Sequence, residues 1–170
     1  ATGSDPKTGD GAGILIQTPH EFFAKACEES KIKLPSQGAY GTGLVFLPQN
    51  SKERIFCKEV FAKIIKKEGE ELLGWRRVPV DSSNIGKSAR DSEPVIEQVF
   101  VGKNVKNAAR PPGHQATSKD ELGFERKLYI IRKQIENTIR GSKLNKNHFS
   151  ILPIYPAAPF LIRACLCPAS

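Results

Sequence analysis

The 170 residues are enough for one ordinary domain, and an apolar content of 39% is enough for a substantial buried core. The formal net charge of +8 raises the question of an anionic partner. No apolar run of membrane length and no signal-peptide pattern occurs, so we expect a soluble, cytoplasmic protein that contacts no membrane.

A glycine-rich loop, ATGSDPKTGDGAG, opens the chain and leads into a predicted strand over residues 14–17. A phosphate-binding loop follows its strand and opens a helix, so this order excludes a phosphate cradle. A phosphate-binding loop also has a glycine five residues before its Gly-Lys pair. The tripeptide GKS at residues 86–88 has Asp81 at that position instead. The sequence therefore predicts no nucleotide site.

The first predicted helix starts immediately after that strand. A capping box of Thr18 and Glu21, with Pro19 in the first turn, predicts a helix that runs to about Ser30. Its inward side chains are expected to be Phe22, Phe23 and Ala26.

Three strands and a second helix are predicted next. Residues 40–47, 72–78 and 95–101 have strand composition. In the first of these strands, Gly41 and Gly43 keep one face flat for the close approach of another layer. An amphipathic helix is predicted over Ser51 to Glu68, before Gly69. Its inward stripe is Phe56, Val60, Phe61, Ile64 and Ile65.

The best-defined helix follows an exposed loop over residues 103–117. A second capping box, Ser118 and Glu121, marks its start, and Gly141 marks its end. Its apolar side chains recur every three or four residues: Phe124, Leu128, Ile131, Ile135 and Ile139. Long helices and strands in this mixture indicate an α/β layered domain.

Most of the positive charge lies in one region. Residues 102–148 contain 11 Lys and Arg against 4 Asp and Glu, which is +7 of the total. Specific nucleic-acid binding also needs clustered aromatics or a groove-reading motif, and here only Phe124 and Tyr129 occur, apart from each other. The pattern favours a solvated basic face and no nucleic acid. A non-catalytic basic module that binds nucleic acid or an acidic partner is the alternative.

The cysteines and histidines suggest neither a metal site nor a disulfide framework. Cys27 and Cys57 lie inside predicted helices, and Cys165 and Cys167 lie near the carboxyl end. They form no Cys-x-x-Cys pair, and none of the three histidines is at ligand spacing.

Four segments, in this order, together resemble one known family. They are TGDGAGILIQTPHEFF, YGTGLVFLPQ, LLGWRRVPVDSSNIGKSARDSEPVIEQVFV and FERKLYIIRKQIE. They resemble the amino-terminal glutaminase domain of the glutamate synthase large subunit over nearly all of residues 1–151. Separated blocks that match in order are far more specific than any single motif.

The resemblance implies a class II, N-terminal-nucleophile amidotransferase with an α+β fold, a four-layer αββα sandwich that is incomplete here. In such enzymes an amino-terminal cysteine attacks glutamine, and its own α-amine acts as the base. An oxyanion hole holds the intermediate, and an arginine, an asparagine and an aspartate hold the glutamine.

The same resemblance implies what the full enzyme does and contains. Ammonia released from glutamine passes to other domains of the same chain, where 2-oxoglutarate is aminated to glutamate. FMN and an iron-sulfur cluster are implied for the full-length protein, with no cofactor in this chain. A small reductase subunit is a possible further partner, and the electron donor stays open between a nicotinamide and ferredoxin.

Carried over residue by residue, the resemblance assigns no catalytic, substrate-binding or metal residue to this chain. The nucleophilic cysteine is expected upstream of Ala1, and Cys27, inside a helix, cannot replace it. Asp10 is interpreted as a turn-stabilising or second-layer residue rather than a catalytic acid, His20 as a helix-turn residue and His114 as a loop residue. We therefore expect the isolated chain to be inactive.

The carboxyl end departs from the family, so we divide the chain into a partial amidotransferase domain, residues 1–151, and an aberrant tail, residues 152–170. The tail LPIYPAAPFLIRACLCPAS has four prolines and is not expected to form an interior strand. Read out of frame, its codons permit SHLSRRTIPYKGMFVP, which looks like the family's arginine-containing motif. We hypothesise a frameshift near Leu152, a tail that is either poorly packed or packed without a partner strand, and accidental thiols at Cys165 and Cys167.

Overall fold

The computed structural model describes residues 13–16, 18–104, 118–142, 144, 149–151, 153–157 and 162–165. The helices are α1 (His20–Glu29), α2 (Ser51–Lys67), α3 (Lys87–Asp91) and α4 (Ser118–Arg140). The strands are β1 (Gly13–Ile16), β2 (Tyr40–Leu47), β3 (Glu71–Arg77), β4 (Val95–Gly102), β5 (Ser150–Ile151), β6 (Tyr155–Pro156) and β7 (Ile162–Cys165).

The main sheet has five strands in the order β3-β4-β2-β5, with β6 also paired to β2. All of its pairings are antiparallel, and β2 and β4 pair along their whole length, from Tyr40 opposite Gly102 to Leu47 opposite Val95. Strands β1 and β7 form a separate antiparallel pair. Helices combined with an antiparallel sheet give an α+β fold, as the resemblance implies, and not the α/β class that the mixture of helices and strands indicated.

One side of the main sheet, which we call the closed face, packs against α2 and α4. Alternation along the strands brings Val45 and Leu47 of β2 and Val99 and Val101 of β4 to this side, and all four are fully buried. They form one core with the inward residues of both helices. The helix residues in this core include Phe61, Ile64, Ile65, Leu128, Ile131, Ile135 and Ile139.

Glycines allow α4 and the chain after β5 to approach the closed face at short range. A β carbon on Gly41 would lie 2.4 Å from Leu128 Cδ1 and 3.1 Å from the Tyr155 carbonyl oxygen. A β carbon on Gly43 would lie 3.2 Å from Ile154 Cα. The predicted flat strip on β2 is therefore used for close packing, as its sequence indicates.

The opposite side of the sheet, which we call the polar face, is covered at one end by α1. There Phe23, Cys27 and Ile32 pack with Tyr40 and Phe100 in a second, smaller core. Beyond this core the face carries side chains from three strands. These are Thr42, Leu44 and Phe46 of β2, Ile96 and Gln98 of β4, and Arg76 of β3.

Several expectations about the first two helices are wrong. The N-cap of α1 is Pro19, no side chain caps it, and the buried Thr18 hydroxyl has no hydrogen-bond partner among the described residues. Phe22 is 54% exposed and Phe56 is 37% exposed, so neither is a core residue. In each helix a cysteine that was not predicted to face inward is buried, Cys27 in α1 and Cys57 in α2.

Two other expectations concern the third and fourth helices. The short helix α3 lies between β3 and β4, where the sequence pattern predicts no helix. The α4 helix spans the predicted range, whereas the side chains of its proposed capping residues, Ser118 and Glu121, lie outside the described residues.

The expectation of a tail that is poorly packed or lacks a partner strand is wrong for residues 153–157, and β7, which is also in the tail, pairs with β1. Ile154 and Ala157 are 4% and 0% exposed, and Tyr155 and Pro156 pair with Thr42 and Gly41. This pairing uses the outer edge of the sheet, which is where a proline can be accommodated. The frameshift hypothesis itself stays a prediction.

Candidate functional site

The opening loop leads into β1, and most of it lies outside the described residues. Gly13 begins β1 opposite Cys165 of β7. Asp10, the proposed turn-stabilising or second-layer residue, and His114, the proposed loop residue, also lie outside the described residues, as do Cys167 and the side chain of Cys165.

His20 connects the start of α1 to the polar face. Its Nδ1 lies 3.1 Å from the Tyr40 hydroxyl, and the two ring centroids are 5.8 Å apart. Burial raises the pKa of Tyr40 to about 12, so its hydroxyl stays protonated at neutral pH. The pair fixes the first turn of α1 over β2, a role consistent with the helix-turn interpretation of His20.

A row of polar side chains crosses the polar face beside this pair. The Thr42 hydroxyl donates to the Val99 carbonyl oxygen at 3.0 Å, and Arg76 Nη1 donates to Gln98 Oε1 at 3.0 Å. Thr42 and Gln98 are 4% and 5% exposed. Buried polar groups are costly unless they are paired, and these groups are paired.

The guanidinium of Arg76 also contacts α1. It lies over the ring of Phe22, 5.5 Å from the ring centroid, a distance at which a cation is attracted to the face of an aromatic ring. Phe22 therefore contributes to the polar face rather than to the core. The sequence reasoning missed Thr42, Gln98 and Arg76, although a polar residue within an apolar strand is a recognisable sign.

The two described cysteines are poor nucleophiles. Burial raises the pKa of Cys57 to about 11, and the neighbouring Glu53 acts in the same direction. Burial also raises the pKa of Cys27, while the Arg76 guanidinium partly opposes this. Since the thiolate is the reactive form, both side chains are largely inert at neutral pH.

Two surface clefts flank the sheet. One has a volume of about 360 Å³ between β3, β4 and the segment before α3, with Arg77, Val80, Ser82 and Glu93 among its lining residues. The Glu93 carboxylate accepts from the Ser82 hydroxyl, and the Gln49 side chain donates to the Glu93 carbonyl oxygen at 2.8 Å. These contacts hold the loop before α3 in place.

The second cleft, of about 400 Å³, lies at the end of α2 and is lined by Lys66, Glu70 and Asn104 among others. The Glu70 carboxylate is buried there, where it accepts from Lys127 Nζ and from the Asn104 backbone amide, each at 2.8 Å. In the described part of the chain, no group of three His, Cys, Asp or Glu side chains could hold a metal ion.

Several cations on α4 are paired. Lys127 binds Glu70, while Arg132 and Lys133 both lie 3.2 Å from the carboxylate of Glu136. Paired cations release fewer counterions when they meet a phosphate backbone, so this arrangement weakens the electrostatic argument for nucleic acid.

No helix among the described residues is long and apolar enough to cross a membrane.

The fold and the sequence together define the class of protein. The sequence model of the class-II glutamine amidotransferases matches residues 1–154, and the chain belongs to this family. The match includes most of the described residues, both faces of the main sheet and the glycine-rich residues before β1.

Glutamate synthases are the relatives that the chain resembles in detail. The glutamate synthase [NADPH] large chain of Bacillus subtilis is 46% identical over 135 residues, which is 79% of this chain and 8% of that protein. Ferredoxin-dependent glutamate synthase 1 of Arabidopsis thaliana is 38% identical over 137 residues, 81% of this chain and 8% of that protein. The glutamate synthase [NADH] of Schizosaccharomyces pombe is 38% identical over 146 residues, 84% of this chain and 6% of that protein. The resemblance drawn from the sequence is confirmed, and the chain spans less than a tenth of these relatives.

Proposed function

We propose that this chain is part of the glutaminase domain of a glutamate synthase large chain. In the complete protein this domain hydrolyses glutamine and passes the ammonia to 2-oxoglutarate, which is converted to glutamate. The observation that carries the proposal is the family match over residues 1–154, supported by glutamate synthases that align with about four fifths of the chain.

The part of the domain present here supplies its framework. The closed face of the sheet and its two helices hold the fold together, while the polar face keeps Leu44, Phe46 and Ile96 only half-buried. We propose that a second sheet of the full domain packs on the polar face and completes a four-layer αββα sandwich. Stacked sheets lie about 10 Å apart and bury the apolar side chains between them.

The nucleophile of the reaction belongs to a part of the domain outside these 170 residues. Attack on an amide needs a thiolate or hydroxyl with a base beside it. Ala1 has an amine without a thiol, and the raised pKa values of Cys27 and Cys57 keep these buried thiols protonated. A polypeptide of these 170 residues alone is therefore inactive as a glutaminase.

The experiment compares this polypeptide with the product of the complete gene. Glutamate release from glutamine is expected from the complete product and not from the 170-residue polypeptide. Replacing the amino-terminal cysteine of the complete product with alanine is expected to abolish hydrolysis. Hydrolysis that survives this replacement, or hydrolysis by the 170-residue polypeptide, contradicts the proposal.

The remaining components belong to the rest of the protein. FMN and an iron-sulfur cluster are bound by the synthase domains, a small reductase subunit is a partner, and the enzyme is cytoplasmic. Relatives named for NADPH, NADH and ferredoxin all match this region. This supports the view that other domains of the protein determine which electron donor is used. Absorption spectra of the purified complete product test for the flavin and the cluster.

The unusual carboxyl end has a separate test. We propose that a shift of reading frame near Leu152 produced the sequence after Ile151. Resequencing the source DNA is expected to restore an arginine-containing motif of the family. An intact frame, with the peptide LPIYPAAPF found by mass spectrometry in the native protein, excludes this explanation.

A further inference from the structure

The outer side of α4 carries large apolar side chains that face away from the core. Leu122, Tyr129 and Ile130 are 50%, 58% and 43% exposed. Leu122 and Tyr129 are about two helical turns apart and Ile130 follows directly, so the three share one side of the helix. The opposite side of α4 is the one that enters the closed-face core.

Two cations lie on the same side, about one turn before and after Tyr129. Arg126 is exposed, and it forms no ion pair with the side chains that the structure describes. Lys133 is 44% exposed at its side chain and shares the Glu136 carboxylate with Arg132. We call Leu122, Arg126, Tyr129, Ile130 and Lys133 the outer stripe.

The composition of the outer stripe is unusual for the solvent side of a helix. An amphipathic helix normally has polar residues opposite its core side, and exposed apolar patches rimmed by polar residues mark interaction surfaces. Tyrosine and arginine are also the residue types that most often dominate binding energy at protein interfaces. The outer stripe therefore has the anatomy of an interface centre with a basic rim.

Charge and length identify the kind of partner. A chain with a net charge of +8 favours an acidic partner surface, and a basic rim requires acidic groups opposite it. The aligned relatives are more than ten times longer than the matched segment, so in such a protein most of the polypeptide lies in other domains.

We propose that the outer stripe docks against another domain of the same polypeptide, on a surface with an apolar centre and an acidic rim. This inference rests on the proposed function, since it requires the longer protein. Docking would cover the apolar side chains and give Arg126 a carboxylate partner.

The test uses the complete gene product with p-benzoylphenylalanine, a photo-crosslinking residue, at position 129. The matched control carries the same residue at position 55, because Ile55 is an equally exposed apolar residue, 56%, on α2 outside the outer stripe. The expected result is an intramolecular crosslink from position 129 to a peptide of another domain that contains Asp or Glu. A yield at position 129 no higher than at position 55 overturns the proposal, as do crosslinks only to a second copy or to a separate protein.

Charge reversal tests the basic rim. Arg126→Glu, combined with the crosslinker at position 129, is expected to lower the crosslink yield about fivefold or more. The control is Lys63→Glu, which changes charge equally at an exposed position of α2. Equal yields in the two variants contradict an acidic rim.

Glutaminase activity of the same preparations separates the two proposals. Absence of glutamine hydrolysis in the unmodified complete product counts against the proposed function, whereas the crosslinks decide the docking. Circular dichroism spectra that match the unmodified protein show that the variants are folded.

Discussion

The two faces of the main sheet differ in what covers them. On the closed face Leu47 is fully buried among side chains of α2 and α4. On the polar face Leu44, three residues earlier in the same strand, is only half-buried, and its neighbours include the paired side chains of Gln98 and Arg76. One strand therefore contributes a sealed core on one side and a partly open polar surface on the other.

The closed face contributes most of the folding stability, and the polar face is the surface left for further contacts. Apolar burial supplies most of the folding free energy, and the closed face concentrates it. The buried polar groups of the polar face contribute less, because their hydrogen bonds only replace bonds to water. A partly open polar face is what the proposed second sheet of the full domain would require.

Truncating a leucine on each face gives the largest expected effect. Leu47→Ala removes a fully buried side chain and is expected to lower the free energy of unfolding by about 2–5 kcal/mol. Leu44→Ala is the matched control on the same strand, with an expected loss below about 2 kcal/mol. Urea unfolding followed by circular dichroism measures both, and equal losses would remove the distinction between the two faces.

Adding one methyl group tests the close contacts of the closed face. Gly41→Ala places a β carbon 2.4 Å from Leu128 Cδ1, so we expect a loss of about 1–3 kcal/mol. Gly123→Ala is the control, since no atom lies within 4 Å of its β carbon, and it is expected to stabilise α4 by about 1 kcal/mol. Urea unfolding is again the measurement, and a neutral Gly41→Ala would show that the helix is not closely packed there.

The end of α1, the helix that covers the polar face, can be stabilised. Lys31 has a φ of 58°, in the left-handed region, and the Ile32 amide donates to the Cys27 carbonyl oxygen at 2.8 Å. These features define a Schellman motif, in which the left-handed residue after the helix is usually glycine. Lys31→Gly is expected to raise stability by about 1 kcal/mol. Lys25→Gly, inside the same helix, is expected to lower it by a similar amount. Thermal unfolding of both variants should show shifts of opposite sign.

Thiol reactivity compares the two faces through one buried cysteine near each. In a background with Cys165→Ser and Cys167→Ser, Cys57 should react very slowly near pH 8, because its pKa of about 11 leaves little thiolate. The alkylation rate of Cys57 should keep rising with pH up to about 11, because the thiolate fraction increases until the pH passes the pKa. Arg76→Met should slow labelling of Cys27, because Arg76 lowers the pKa of that thiol, and should leave Cys57 unchanged. Mass spectrometry after timed alkylation distinguishes the two sites.

The elements could be predicted where a local pattern determines them. The apolar repeat of α4 from Phe124 to Ile139 fixes a helix, and strand composition predicts β2 and β4. The side that each residue faces was less predictable, because it depends on packing partners. Phe22 and Phe23 are equally apolar, yet α1 presents only Phe23 to Phe100.

The features that depend on distant parts of the chain were not predictable. The hydrogen bond between Arg76 and Gln98 requires the register of β3 against β4, which no local pattern specifies. Residues 153–157 pack on β2 because the glycines at 41 and 43 leave room there, a match that becomes visible only in three dimensions. Family membership came from the order of several segments along the chain rather than from any single motif.

The transfer of amide nitrogen by the complete gene product tests the central claim most directly. With amide-¹⁵N glutamine, 2-oxoglutarate and a reductant, we expect the ¹⁵N label in the α-amino group of newly formed glutamate, and no label transfer by the 170-residue polypeptide. A complete product that neither hydrolyses glutamine nor transfers its amide nitrogen would contradict the assignment of this chain to the glutaminase domain of a glutamate synthase.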